Sequence, residues 1–186
     1  MYEEILDVAE ELFMVQGYRA TSTRQITEKL GVTQPTLYYH FKKKEDIYYH
    51  VMLRLSATVE AQLRIIANDE ALPAEKKILH MALFLQQKHP FNLFVMMHDI
   101  QHSLSKEMSQ KLYRLWTTSY KTPFIELLEQ AEFHLKSEID PTFAVSQLFI
   151  LIAAYLETPN RQSDLAKSVQ VFLYGVMATE IKEQIE

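Results

Sequence analysis

Thr33 to Lys44, TQPTLYYHFKKK, holds the densest recognition chemistry in the chain. An amide (Gln34), hydroxyl and phenol groups (Thr36, Tyr38, Tyr39), an imidazole (His40) and three ammoniums (Lys42, Lys43, Lys44) crowd into one stretch. Leu37 and Phe41 are four apart and share a helical face that can be buried. Polar groups opposite an apolar anchor suit the DNA major groove, where each base pair presents its own donor and acceptor pattern. Thr33 is a good N-cap, and Pro35 falls in the first turn, where its missing N–H costs nothing.

The residues divide by what they can reach. Gln34 can bond adenine N6 and N7 in bidentate fashion, and Arg24, just upstream, can do the same with guanine N7 and O6. Pro35, Thr36 and Tyr38 offer contacts to thymine methyls. Thr23, Tyr39, His40 and Lys44 suit phosphates, Lys44 because the next helix begins beside it. Tyr39 and His40 read equally well as packing within the domain.

These side chains need a supporting frame, and the sequence supplies one. Ser22 to Leu30 reads as a short helix opened by a capping box, Ser22 reaching forward and Gln25 reaching back. Ile26 and Leu30 form its apolar side. Gly31 can take the left-handed conformation that ends a helix, and Val32 leads into Thr33. Helix, short glycine turn, helix is the helix-turn-helix arrangement. Upstream, Tyr2 to Gln16 is amphipathic, with Ile5, Ala9, Leu12 and Phe13 on one stripe, and Gly17 ends it.

From Phe13 to Ile47 the chain closely resembles the N-terminal domain of TetR-family transcriptional repressors. The resemblance rests on Phe13, Gly17, Tyr18, Thr21, Thr23, Ile26, Gly31, Val32, Thr33, Leu37, Tyr38, His40, Phe41, Lys44 and Glu45, in order. Thr27 and Leu30 depart from it, since Ala is usual at both. It covers about the first quarter of the chain. It implies a homodimer on a palindromic operator in double-stranded DNA, a small-molecule effector, and no catalytic role. The ligand domain is not matched, so the identity of the effector is not implied.

The remaining pattern is helical throughout. Glu45 and Asp46 suit the positive start of a helix running to about Ala67, with Ile47, Val51, Leu55, Val59, Leu63 and Ile66 inward. Further helices are expected at 74–88, 91–102 and 105–119, and from Thr122-Pro123 to about Leu135. Asp140-Pro141 opens another, and the last runs from Gln162 to about Lys182. Pro90 and Pro159 punctuate them. The expected fold is all-α with about nine helices: a three-helix helix-turn-helix DNA-binding domain at 1–46 and a larger helical effector-binding and dimerisation domain at 47–186.

The final two helices are apolar over more than one stripe. Val145, Leu148, Phe149, Ile152 and Leu156, with Leu165, Val169, Phe172, Leu173, Val176 and Ile181, suit either the innermost helices of a monomer or a four-helix dimer interface. Ala153, Ala154 and Gly175 permit close approach. The resemblance favours the interface, because two reading heads on a palindrome need a two-fold partner. On that reading Leu173 faces the partner.

The chain has 186 residues, 48% of them hydrophobic, and a net charge of −5. That total is wrong for a DNA binder, but its distribution is not. Gly17 to Lys44 holds six cations (Arg19, Arg24, Lys29, Lys42, Lys43, Lys44) against Glu28 alone. Charges beyond a Debye length, ~8 Å at physiological salt, are largely screened, so the local patch decides. No uncharged apolar run approaches the ~18 to 20 residues a membrane span needs, and no signal-peptide pattern opens the chain. Absence of cysteine excludes disulfides and thiol chemistry. A cytoplasmic protein with no membrane partner is expected.

The middle of the chain is rich in large adaptable side chains: Phe84, Phe91, Phe94, Met97, Trp116, Tyr120 and Phe124. They read as core, with some lining an effector cavity together with His98. His98 and His102 have the spacing that lets two imidazoles meet one metal, with Asp99 between them. With no third ligand in sight they read as hydrogen-bonding groups, and no metal or cofactor is assigned.

An enzyme is the rival class. Gly17, Gly31 and Gly175 are the only glycines, which excludes a glycine-rich phosphate loop or dinucleotide fingerprint. No Gly-x-Ser-x-Gly elbow exists. No histidine has Glu three residues before it, as a di-iron bundle would require. A second rival is a structural DNA binder that needs no effector.

Overall fold

The computed structural model describes residues 1–88, 93–130, 133–156, 158 and 160–178, the side chains at 88 and 93–97 excepted. Pro90, Phe91, Pro159, Ile181 and Lys182 lie outside the described residues. So do the side chains of Phe94 and Met97. The fold is all-α. The helices are α1 (Tyr2–Ala20), α2 (Thr23–Leu30), α3 (Gln34–His40), α4 (Lys44–Ala67) and α5 (Ala74–Lys88), followed by α6 (Leu93–His102) and α7 (Lys106–Trp116). A π-helical segment, Thr117–Lys121, leads to α8 (Thr122–Leu128), and then come α9 (Pro141–Ala153) and α10 (Gln162–Val176). No described helix is long and apolar enough to cross a membrane.

The chain forms two compact units: Met1–Ala61 with His89–Tyr120, and Gln62–Lys88 with Lys121–Glu186. In the first, α1, α2, α3 and the start of α4 close on Ile5, Leu6, Ala9, Phe13, Ile26, Leu37, Phe41, Ile47 and Val51, all buried. Arg54 of α4 reaches Glu3, Asp7 and Glu10, three acids on one stripe of α1, at 3.4, 2.7 and 2.5 Å. Burial works against the guanidinium's charge, but the acids outweigh it and raise the Arg54 pKa.

Gly17 ends the regular helix from Tyr2, as expected, breaking the helical path with φ 79° and ψ 170°, but one further turn carries the chain to Ala20. That combination is essentially open to glycine alone. It leaves the Tyr18 amide free of the helix ladder, and the buried carboxylate of Asp99 on α6 accepts it at 3.0 Å. The helix after Ser105 departs from expectation too. It does not stop at Ser119 but passes through a π turn, because Pro123 lacks an N–H and its ring clashes with the carbonyl four residues back.

In the second unit α10 packs on α5 and α9, and α8 packs on α9. Asp140 caps α9 through the Phe143 amide at 2.9 Å, with Pro141 in the first turn. The helix from Thr122 ends at Leu128 rather than Leu135, and the last ends at Val176 rather than Lys182. Just past the end of α10 the chain meets the segment that follows α8. Leu135 and Met177 form an isolated antiparallel bridge, with the Lys136 amide donating to the Val176 carbonyl at 3.0 Å.

Val145, Leu148, Phe149, Ile152, Leu165, Val169, Leu173 and Val176 are buried within this chain. Leu173, 6% exposed, therefore faces its own subunit. The outward apolar residues of these helices are others: Phe143 and Ile150 on α9, Val171 and Tyr174 on α10, all more than half exposed.

Candidate nucleic-acid interface

Local chemistry builds the reading head. Ser22 accepts the Gln25 amide at 3.2 Å, and the Gln25 side chain accepts the Ser22 amide at 2.7 Å, completing the capping box. Gly31 closes α2 at φ 68°, left-handed, with its amide donating to Glu28 and the Val32 amide to Thr27. Thr33 caps α3 through the Thr36 amide at 3.4 Å. Leu37, fully buried, and Phe41 anchor α3 from below. Thr27, the departure from Ala, is buried with its hydroxyl donating to the Arg24 carbonyl at 2.9 Å, so no polar group is orphaned.

The outer surface brings three predicted residues together. The Thr23 hydroxyl lies 3.4 Å from Gln34 Oε1 and 3.3 Å from the Tyr38 hydroxyl, tying the start of α2 to the outer side of α3. Arg24 is exposed beside them, with Nε donating to Glu28 at 2.7 Å. The Glu28 hydrogen bond and charge raise the Arg24 pKa further. Exposed i,i+4 ion pairs hold weakly, so the guanidinium can exchange Glu28 for a base or phosphate. Pro35 is exposed, and Thr36, half-buried, bonds Thr33 through their hydroxyls at 2.9 Å.

The structure separates Tyr39 from His40. Tyr39 is 86% exposed and points away from the core. His40 is half-buried, edge-on to Tyr2 with ring centres 6.3 Å apart.

Lys44 has a duty inside the head. Its ammonium donates to the Tyr18 and Thr21 carbonyls, each at 2.8 Å, and sits 4.0 Å from the centre of the Tyr18 ring. Burial lowers the Lys44 pKa and pushes the Tyr18 hydroxyl up to about 12. Two of the three ammonium donors thus hold the last turn of α1 against the start of α4, leaving one for a phosphate.

The cationic patch is more balanced than its sequence suggests. Lys29 pairs with Glu11 at 2.5 Å and Lys43 with Glu45 at 2.7 Å, both acids lying outside the stretch counted above. Arg19 and Lys42 are exposed and hold no ion pair among the described residues.

Glu45 lies in the first turn of α4, as expected; what sequence reasoning missed is the reach of Asp99 and Glu45. Glu45 also accepts the amide of Ser105, the N-cap of α7, at 2.5 Å and its hydroxyl at 2.9 Å. Asp46 serves α4, accepting the Lys43 amide at 3.2 Å. Burial pushes the Glu45 carboxyl up, but Lys43 and the two Ser105 donors outweigh it and hold the pKa low.

The nominated effector residues scatter. Phe84 on α5 is half-buried, Trp116, Tyr120 and Phe124 are buried, and His98 is exposed on α6. The surface carries three open hollows among the described residues. One of about 550 Å³ lies over α6 and α7, one of about 310 Å³ between α5 and α10, and one of about 490 Å³ between α9 and α10. None of the three is lined by those residues.

With this geometry in place, comparison with known proteins can be set beside it. Residues 5–51, the reading head, match the family model for bacterial regulatory proteins, tetR family. Over that stretch the chain is similar to TetR-family regulators. It is 30% identical over 105 residues to the HTH-type transcriptional repressor KstR2 of Mycobacterium tuberculosis, covering 56% of this chain and 52% of that protein. The chain thus spans about half the length of these curated relatives. Among solved structures, reduced NemR of E. coli aligns over 96% of this chain and 97% of its own, with TM-score 0.74 and 17% identity. FadR of Bacillus subtilis, solved with stearoyl-CoA, aligns over 96% and 98%, with TM-score 0.71 and 20% identity. At those identities the likeness shows a shared fold along nearly the whole chain.

Proposed function

We propose that this chain is a ligand-responsive TetR-family transcriptional repressor that binds a palindromic operator as a homodimer in the cytoplasm and is released by a small molecule. The observation that carries the reading is the outer surface of α2 and α3. Gln34, Thr36, Tyr38 and Tyr39 stand over the buried Leu37, with Arg24 and Thr23 alongside. Arg24 and Gln34 read bases. Thr23, Tyr39, His40, Arg19, Lys42 and the remaining donor of Lys44 serve phosphates. The Thr33 cap and the buried Leu37 fix α3, while Gln34 and Tyr38 are held only by contacts of 3.3–3.4 Å to the Thr23 hydroxyl.

The homodimer is supported by the apolar residues exposed on α9 and α10, Phe143, Ile150, Val171 and Tyr174. A self-complementary two-fold contact covers such a surface on both copies and pairs the heads for inverted half-sites. An effector acts by its differential affinity for two states of the protein. The stearoyl-CoA complex of FadR supports an amphipathic effector, because that protein has the same fold.

The test is operator binding by the full chain, challenged with apolar and amphipathic small molecules. Saturable release by one class supports a ligand-responsive repressor. Tight, sequence-specific binding that no compound class relieves favours the effector-independent structural binder.

A further inference from the structure

His98 and His102 lie on the exposed side of α6, one turn apart, with ring centres 4.8 Å apart and planes tilted by 54°. That separation has a chemical meaning. A metal–imidazole bond of about 2.0–2.1 Å, with the ring centre ~1.1 Å behind the nitrogen, puts the metal ~3.2 Å from each ring centre. An N–metal–N angle between ~90° and ~110° then sets the ring centres ~4.5–5.2 Å apart. The observed spacing falls inside that window without any change in backbone. Neither ring is held in another hydrogen bond among the described residues, so each can turn a nitrogen inward.

We propose that His98 and His102 form a two-imidazole chelate for a borderline-soft divalent cation, Cu²⁺ first and Ni²⁺ or Zn²⁺ after it. The order follows from nitrogen ligation, which favours late first-row ions and Cu²⁺ most. Among the described residues no third His, Cys, Asp or Glu joins them. Water therefore fills the other coordination positions, and the site is an open one.

The chelate spans a turn that matters to the first unit. The Ser103 amide donates to the Asp99 carbonyl at 2.9 Å, and the Ser103 hydroxyl lies 3.3 Å from the Asp99 carboxylate. That carboxylate in turn holds the Tyr18 amide. A cation bridging residues 98 and 102 fixes the last turn of α6 in helical form and with it the residue that grips α1. The site stands on this geometry alone and does not depend on the DNA-binding reading.

The test is titration of the metal-free full chain with Cu²⁺, read by calorimetry and electron paramagnetic resonance. The expected result is one tight equivalent per chain with a two-nitrogen signature, and a raised melting temperature. His98→Gln and His102→Gln should each abolish that step and its signature, while His134→Gln, in the second unit, should leave both intact. Both side chains are exposed, so the variants should fold, as circular dichroism verifies. A tight step that survives either substitution belongs to the terminal amine or another histidine and overturns the proposal. So does the absence of any saturable step in the unaltered chain.

Discussion

Asp99 Oδ2 accepts the Tyr18 backbone N–H at 3.0 Å, joining two positions 81 residues apart in sequence. The contact exists because Gly17, at φ 79° and ψ 170°, turns that amide out of α1. A glycine, a free amide and a buried acid thus act as one joint between the reading head and α6. Ser103 supports the same carboxylate from its own helix.

The joint should respond to substitution at either end. Gly17→Ala forces a side chain into a glycine-only conformation and should lower stability by roughly 1–3 kcal/mol. Asp99→Leu leaves the Tyr18 amide without an acceptor in a buried setting, at a cost of about 1–3 kcal/mol. Urea denaturation of the two single variants and the double variant checks this. The account expects the double variant to lose less than the two single losses combined; strict additivity would mean the two positions do not act together.

Lys44 should behave as an internal clamp before it behaves as a phosphate contact. Lys44→Met removes two charge-assisted hydrogen bonds from a half-buried ammonium. Discounted for solvent, the expected loss is about 1–2 kcal/mol of unfolding stability. Unfolding monitored by circular dichroism measures it. An unchanged midpoint, with only the salt dependence of DNA binding reduced, would assign Lys44 to the phosphates alone.

Much of the head was legible in the sequence because its determinants are local. The Ser22–Gln25 capping box, Gly31, the Thr33 cap and the buried Leu37–Phe41 pair all act within a turn or two. The acceptors of Lys44 lie 26 and 23 residues away, and Ser105 lies 60 residues from Glu45. No periodicity encodes such pairings. The end of α10 was hidden for the same reason, since the bridge between Leu135 and Met177 begins just past Val176. The apolar abundance of α9 and α10 was plain, but two apolar stripes on one helix do not say which faces inward.

That last distinction yields a sharp contrast. Leu173→Asp places a charge in the core of the second unit and should give unfolded or insoluble protein. Tyr174→Asp and Val171→Asp alter exposed positions and should keep the helical content while shifting the mass from dimer to monomer. Light scattering with circular dichroism separates the cases. Folded dimers of Tyr174→Asp and Val171→Asp would place the interface elsewhere.

Glu45 should stabilise the fold in a particular pH window. Its folded pKa lies below the ordinary carboxylate value, held there by Lys43 and Ser105 against burial. The stability it contributes is therefore fully present above the ordinary value and lost as pH falls through the depressed one. The stability gap between the unaltered chain and Glu45→Gln should be widest at neutral pH and narrow on acidification. A gap that is constant, or that widens toward acid, would mean the carboxylate charge is not what holds Ser105.

The central claim is that α2 and α3 read base sequence as a two-fold pair. Selection of duplexes from a random pool by the full chain, followed by sequencing, tests it most directly. The predicted result is an enriched inverted repeat whose half-sites are separated by a helical turn of DNA or a multiple of it. Selection repeated with Arg24→Ala should relax preference at one position in each half-site and leave the others intact. A pool with no enriched sequence, a single unpaired half-site, or an Arg24→Ala pool weakened equally at every position would contradict the account.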